Sequence, residues 1–226
     1  MTNNSQQSSP LPERLREELG RDFKPVTPLA PAWKRILTIL PVWAILAACV
    51  VLFIGIRDDY EILTPEITWL FAIGQATLAS LGILITLNLT IPGSISARSN
   101  AFWAVIVLLF VYLGLVYFTF QLSPTETAEN FWYLISVCLF FVIIFSLPPL
   151  VLAVYLASQG HPGYPILTGF LGGICCGLLG ESVWRLHCHY TAWDHILGSH
   201  TMGILLTAFL GAGIGYLYKK YRGQRG

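Results

Sequence analysis

The stretch FWYLISVCLFFVIIFSLPPLVLAVYL, residues 131–156, contains no Asp, Glu, Lys or Arg. A helix rises about 1.5 Å per residue and the hydrocarbon layer of a bilayer is roughly 30 Å thick, so about 20 mostly apolar residues cross it. This stretch is long enough, and five others meet the same length: 35–56, 67–89 and 101–120 before it, 164–186 and 201–218 after it. The runs lack the apolar–polar alternation of a lipid-facing barrel strand, which excludes a closed barrel. The predicted fold is an all-α membrane protein, a six-transmembrane-helix bundle.

Composition points the same way. The chain is 55% apolar and 11% charged, whereas a soluble domain carries about 25% charged residues. Short polar punctuations separate the spans and read as turns: Arg57-Asp58-Asp59-Tyr60-Glu61, Pro92-Gly93-Ser94, Ser123-Pro124-Thr125-Glu126, Gln159-Gly160-His161-Pro162-Gly163, and a histidine-rich run from His187 to His200.

Charge sets the predicted orientation. Arg14, Arg16, Arg21, Lys24, Lys34 and Arg35 precede the first span, Arg98 lies in the second connection, and Lys219, Lys220, Arg222 and Arg225 follow the last span. The positive-inside rule places all of them in the cytoplasm. The remaining connections carry only Arg57 and Arg185, and the first and third are acidic through Asp58, Asp59, Glu61, Glu66, Glu126 and Glu129. An even number of spans then puts both termini in the cytoplasm. The first 32 residues lack an apolar core followed by a small-residue cleavage site, so no signal peptide is expected and the first span is read as its own insertion signal. The net charge of +1 gives no reason to expect direct contact with nucleic acid. The basic flanks fit anionic lipid.

Residues 1–34 form a cytoplasmic head and residues 219–226 a basic tail. Residues 1–10 are a Ser/Gln/Asn tract without apolar area to bury and are expected to be disordered. Leu11, Leu15 and Leu19 then recur every four residues among Glu13, Arg14, Arg16, Glu17 and Glu18, the pattern of a short amphipathic helix that stops at Gly20. Asp22 to Pro31 follows as an extended strap, its prolines removing backbone donors. A helix this short is marginal alone, so residues 11–31 read as a segment that orders on a partner.

Within the spans, Gly169, Gly173 and Gly177 in the fifth and Gly203, Thr207, Gly211 and Gly215 in the sixth form small-residue ladders that predict close packing of these two helices. Pro148 and Pro149 predict a kink in the fourth. Gln75, Thr77 and Asn88 are expected to face protein. Apart from Glu181, no ionisable group lies well inside a span, and no inverted repeat is apparent, which disfavours a transporter.

Cys49, Cys175 and Cys176 read as packing. Cys138 and Cys188 both fall toward the outer side, and they come within disulfide reach if the loop after Cys188 folds back, a distance the sequence leaves open. Glu181, Arg185 and Cys188 share a helix face if the fifth span continues, and a nearby guanidinium is expected to lower the Cys188 pKa. His187, Cys188, His189, His195 and His200 offer ligand chemistry suited to zinc or copper. No standard metal-site spacing is met, so no metal or other cofactor is assigned; His187, His189 and His195 come nearest to a ligand set. The motifs GxSxG, HExxH, CxxC and the Walker A loop are absent, and no enzyme is predicted. The Glu181–Arg185 spacing reads most simply as an ion pair across one turn.

Several of these residues together resemble a known family: Asp22, Pro25, Val26, Pro28 and Leu29 in the strap, Trp132 and Cys138, the Leu147-Pro148 pair, the Gly169 to Gly180 ladder, Leu186-His187-Cys188, and the Gly211 to Gly215 run. The chain is similar over most of its length to the NrsF (negative regulator of sigma F) family of polytopic bacterial anti-sigma factors. The resemblance implies a six-span inner-membrane protein whose cytoplasmic head holds an extracytoplasmic-function sigma factor until a signal is perceived. It also implies a signalling role for a cysteine pair matching Cys138 and Cys188. Phe23 in place of leucine, a longer Ser/Gln tail and His189 depart from the family pattern. The expected partner contacts are Leu15, Leu19, Asp22, Phe23, Pro25, Val26, Pro28 and Leu29. A small membrane metal- or redox-binding protein and a permease component are the rival readings.

Overall fold

The computed structural model describes residues 29–57, 65–91, 95–122, 130–160 and 162–223, together with Glu13 and Glu17. Among these residues all regular structure is helical, and six helices are long and apolar enough to cross a membrane. They are α1 (Ala32–Ile54), α2 (Pro65–Asn88), α3 (Ile95–Leu122), α4 (Phe131–Ser158), α5 (Pro165–Trp184) and α6 (Trp193–Tyr221). Phe53, Leu52 and Phe110 are 83%, 75% and 71% exposed. A surface of such side chains is compatible with a multi-pass protein whose solvent is lipid and would be a large apolar patch in water.

The breaks between helices have local causes. α1 turns once at Leu37 and Thr38 and closes in a π-helical turn, Val50–Ile54, ended by Gly55 at φ +100°, a conformation that a side chain would strain. Proline at the first position of α5 fixes φ where no intrahelical donor is needed. α4 runs helically through Pro148 and Pro149. α6 begins at Trp193, ahead of the Thr201 expected from hydropathy, because Trp193–His195 and the π-helical turn Ile196–Thr201 lead into the regular helix Met202–Gly223.

α5 is the central element, with most of its length buried. The small-residue ladders explain how it gets there. A Cβ added at Gly173 would lie 2.6 Å from Thr207 O, one at Gly177 would lie 2.8 Å from Ile204 Cα, and Gly169 meets Gly211 backbone to backbone. α5 and α6 therefore touch along their main chains, where dispersion acts at closest range. On its other faces Gly180 admits the α4 backbone at Ser146, and Cys175 fits against Gly82 of α2.

Two ends of the bundle matter below. At the head end Arg35 is buried: its guanidinium donates to Leu156 O at the end of α4 and reaches Thr90 Oγ1 at 3.5 Å. A cation on terminal carbonyls also suits the negative end of the α4 dipole. Arg35 is thus an interhelical latch as well as a flanking charge. At the opposite end Gly55, Arg57, His187 and Cys188 gather, with Arg57 N donating to Leu186 O at 2.9 Å.

The expected amphipathic helix and strap fall almost wholly outside the described residues. Glu13 and Glu17 are helical and exposed. Leu15, Leu19, Asp22, Phe23, Pro25, Val26 and Pro28 lie outside the described residues, and Leu29 is exposed.

Candidate functional site

Three elements converge at the end opposite the head. α4 brings Cys138. The turn that follows α5 brings Cys188, whose N–H donates to Trp184 O at 3.0 Å. The start of α6 brings His195 and His200. All four side chains are buried, and one ligand atom from each lies within 4.8 Å of every other.

The closest pairs are specific. Cys138 Sγ and Cys188 Sγ are 3.8 Å apart, and Cys188 Sγ is 3.4 Å from His195 Nε2. All five cysteines are free thiols. The two imidazoles lie 5.4 Å apart, ring centre to ring centre. Their spacing of five residues would put them about 140° apart around a regular helix. The i to i+5 bonding of a π-helical turn brings such a pair onto one side.

Behind His200 stands a buried polar network. Glu181, with none of its surface exposed, accepts from Arg185 Nε at 2.7 Å and from His200 Nδ1 at 3.2 Å, and from the Gln75 amide on its other oxygen. The pairing with Arg185 across one turn is the one that the sequence spacing predicts. Gln75 also donates to Leu178 O at 3.0 Å, which accounts for a polar residue within α2. A carboxylate only accepts hydrogen bonds, so the proton on His200 is assigned to Nδ1, leaving the Nε2 lone pair directed away from Glu181. Nε2 is buried and makes no hydrogen bond of ordinary geometry, although the ring interacts with the Cys138 thiol.

Aromatic rings wall the cluster. Phe141 stacks on Trp184 with centroids 4.2 Å apart, and Trp184 in turn faces His187. A cleft of about 360 Å³ next to them is lined by Cys138, Cys188, His187, His189 and Tyr190 among others, giving small solutes a way to the sulfurs.

The structure sorts the histidines differently from their order in the sequence. His187 Nδ1 donates to Gly55 O at 3.0 Å, anchoring the turn after α1. His189 lies against Tyr190 with the rings tilted and their centroids 4.3 Å apart, and its carbonyl accepts from Arg57. His195 joins the thiols, as does His200, and Cys138 arrives from another helix. The electrostatics of Cys188 also differ from the expectation built on Arg185. Its hydrogen bond with Cys138 comes first and burial second, and together they push this thiol well above the ordinary range. The charge of Arg185 lowers it by less, because Glu181 already neutralises that guanidinium.

Fold and site together define a multi-helix membrane protein with an enclosed thiol–imidazole cluster at one end of its bundle. Comparison with known families narrows that class. The chain belongs to the NrsF family, described as negative regulator of sigma F, whose family model matches residues 19–220. The family is thus one of anti-sigma factors, and the match takes in the strap from Asp22 to Leu29 and both thiols of the cluster. No curated protein and no solved structure matches the chain.

Proposed function

We propose that this protein holds an extracytoplasmic-function sigma factor at the inner face of the bacterial cytoplasmic membrane through its head, and releases it when Cys138 and Cys188 are modified on the outer side. Both termini are then cytoplasmic, a placement that the distribution of Lys and Arg supports. Leu15, Leu19, Phe23, Val26 and Leu29 supply the apolar contacts, with Asp22, Pro25 and Pro28 shaping the strap. Holding a partner needs binding alone, and no catalytic step is assigned.

One observation carries the link between the two ends: α4 is a single helix with Cys138 toward one end and Leu156 at the other, where Leu156 accepts the buried Arg35 guanidinium. Eighteen residues of helix span about 27 Å. Arg35 stands six residues after Leu29, so a shift or rotation of α4 reaches the root of the head directly. Pro148 and Pro149 remove two ladder bonds midway and make α4 easier to bend there. A two-electron oxidant that joins the sulfurs, or a soft cation that binds both, biases the switch only to the extent that it prefers one packing of α4 on α5.

The test replaces both thiols, Cys138→Ser and Cys188→Ser, and follows the sigma factor between membrane and soluble fractions. The wild type is expected to lose the partner under thiol-reactive stress, while the variant retains it. Release unchanged in the variant removes the thiol mechanism and leaves sequestration standing.

A further inference from the structure

We propose that Cys138, Cys188, His195 and His200 together bind one Zn2+ in a closed, four-coordinate site. The first ground is the donor set. Two thiolates and two imidazoles are a tetrahedral zinc set, with Zn–S near 2.3 Å and Zn–N near 2.0–2.1 Å. Those bond lengths put the sulfurs of a regular tetrahedron about 3.8 Å apart, and a sulfur and a nitrogen about 3.6 Å apart. The corresponding separations here are 3.8 Å for the two Sγ atoms and 3.4 Å for Cys188 Sγ to His195 Nε2.

The second ground is independent of spacing. His200 Nε2 is a buried nitrogen that makes no hydrogen bond of ordinary geometry, the ring having the thiol of Cys138, itself a member of the cluster, as a further side-chain contact, and such an atom costs free energy unless something occupies its lone pair. The carboxylate of Glu181 on Nδ1 sets the tautomer that leaves Nε2 free to coordinate, the usual arrangement of a metal-binding histidine and its outer partner.

The third ground is charge. All four ligands are buried, where net charge is costly. A divalent ion with two thiolates and two neutral imidazoles sums to zero, and Glu181 with Arg185 also sums to zero. A monovalent cation would leave the site negative. Binding displaces the two thiol protons, which pass to water through the cleft beside Cys138 and Cys188. With four protein ligands no coordination position stays open, so the site fixes structure and does not activate water. The ion would join α4, the turn after α5 and the start of α6 at one point.

The binding claim stands on these four side chains, and only its connection to partner release rests on the function proposed above. The full-length chain, purified in detergent from cells supplied with zinc, is expected to carry about one zinc per chain by elemental analysis. After chelation and addition of Co2+ it should develop the visible bands of tetrahedral cobalt and a thiolate-to-cobalt charge-transfer band. Cys138→Ser and His200→Ala should each weaken Co2+ binding at least tenfold, whereas His187→Ala and His189→Ala should leave it within a factor of two. The wild-type measurement needs no variant to fold: wild-type protein that takes up neither zinc nor cobalt overturns the site, as does loss in His187→Ala equal to that in His200→Ala. An empty site would leave sigma retention untouched, and failure of retention would leave the zinc count untouched.

Discussion

Removing residues 11–29 should shift the sigma factor from the membrane fraction to the soluble fraction almost completely, with the amount of the membrane protein itself unchanged. In the sequence, the four-residue repeat of Leu11, Leu15 and Leu19 and the proline-rich stretch after it carry the apolar side chains of residues 11–29, too few for a core of their own. On the function proposed above the sigma factor buries them, and at about 25 cal/mol per Å² a handful of such side chains is enough for tight association after ordering costs. The deletion ends before Ala32, where α1 begins, so the Arg35 latch to Leu156 and Thr90 survives it. Fractionation followed by immunoblotting for the sigma factor is the measurement. A sigma factor that still sediments with the membrane after this deletion would count decisively against the head as its binding site.

The spans were readable from sequence because crossing a bilayer imposes a requirement on composition and length that local sequence satisfies by itself. The ladder from Gly169 to Gly177 was readable for a related reason: four-residue periodicity places small residues along one ridge whichever helix they meet. The Glu181–Arg185 pair is also local to one helix. The thiol–imidazole cluster is of another kind, since its members come from α4, a turn and α6, and only the bundle brings them together. The sequence already marks His195 and His200 as capable of ligation, but their convergence is not legible in it, because an ordinary helix would set them on different faces and a π-helical turn brings them to one. His187 and His189, adjacent to Cys188 in the chain, turn to Gly55 and Tyr190 because the turn after Trp184 points successive side chains in different directions. Arg35 looked like a flanking charge since hydropathy begins the first span there, whereas the helix starts at Ala32 and carries Arg35 into the bundle.

Glu181→Leu should destabilise the folded bundle by about 3–5 kcal/mol, the cost of leaving a buried charge without its counter-ion. Glu181 holds three groups at once, Arg185, His200 and Gln75, so its loss strands a guanidinium that is 7% exposed, frees the His200 ring and leaves the Gln75 amide with Leu178 O alone. The same change in combination with Arg185→Leu removes the stranded charge, and a buried pair replaced by apolar residues of similar volume is often neutral or better. The double variant is therefore expected to be more stable than the Glu181→Leu single variant, a sign reversal from simple additivity that marks coupled residues. Denaturant midpoints in mixed micelles, with a chelator present so that a bound ion does not mask the difference, measure the wild type, Glu181→Leu, Arg185→Leu and the double variant on one scale. A Glu181→Leu cost below about 1 kcal/mol, or a double variant as unstable as the two single changes added together, would mean that this carboxylate does not organise the core. The larger figure would mean that the tautomer of His200, and with it the geometry of the thiol cluster, is held by an interaction the fold cannot lose cheaply.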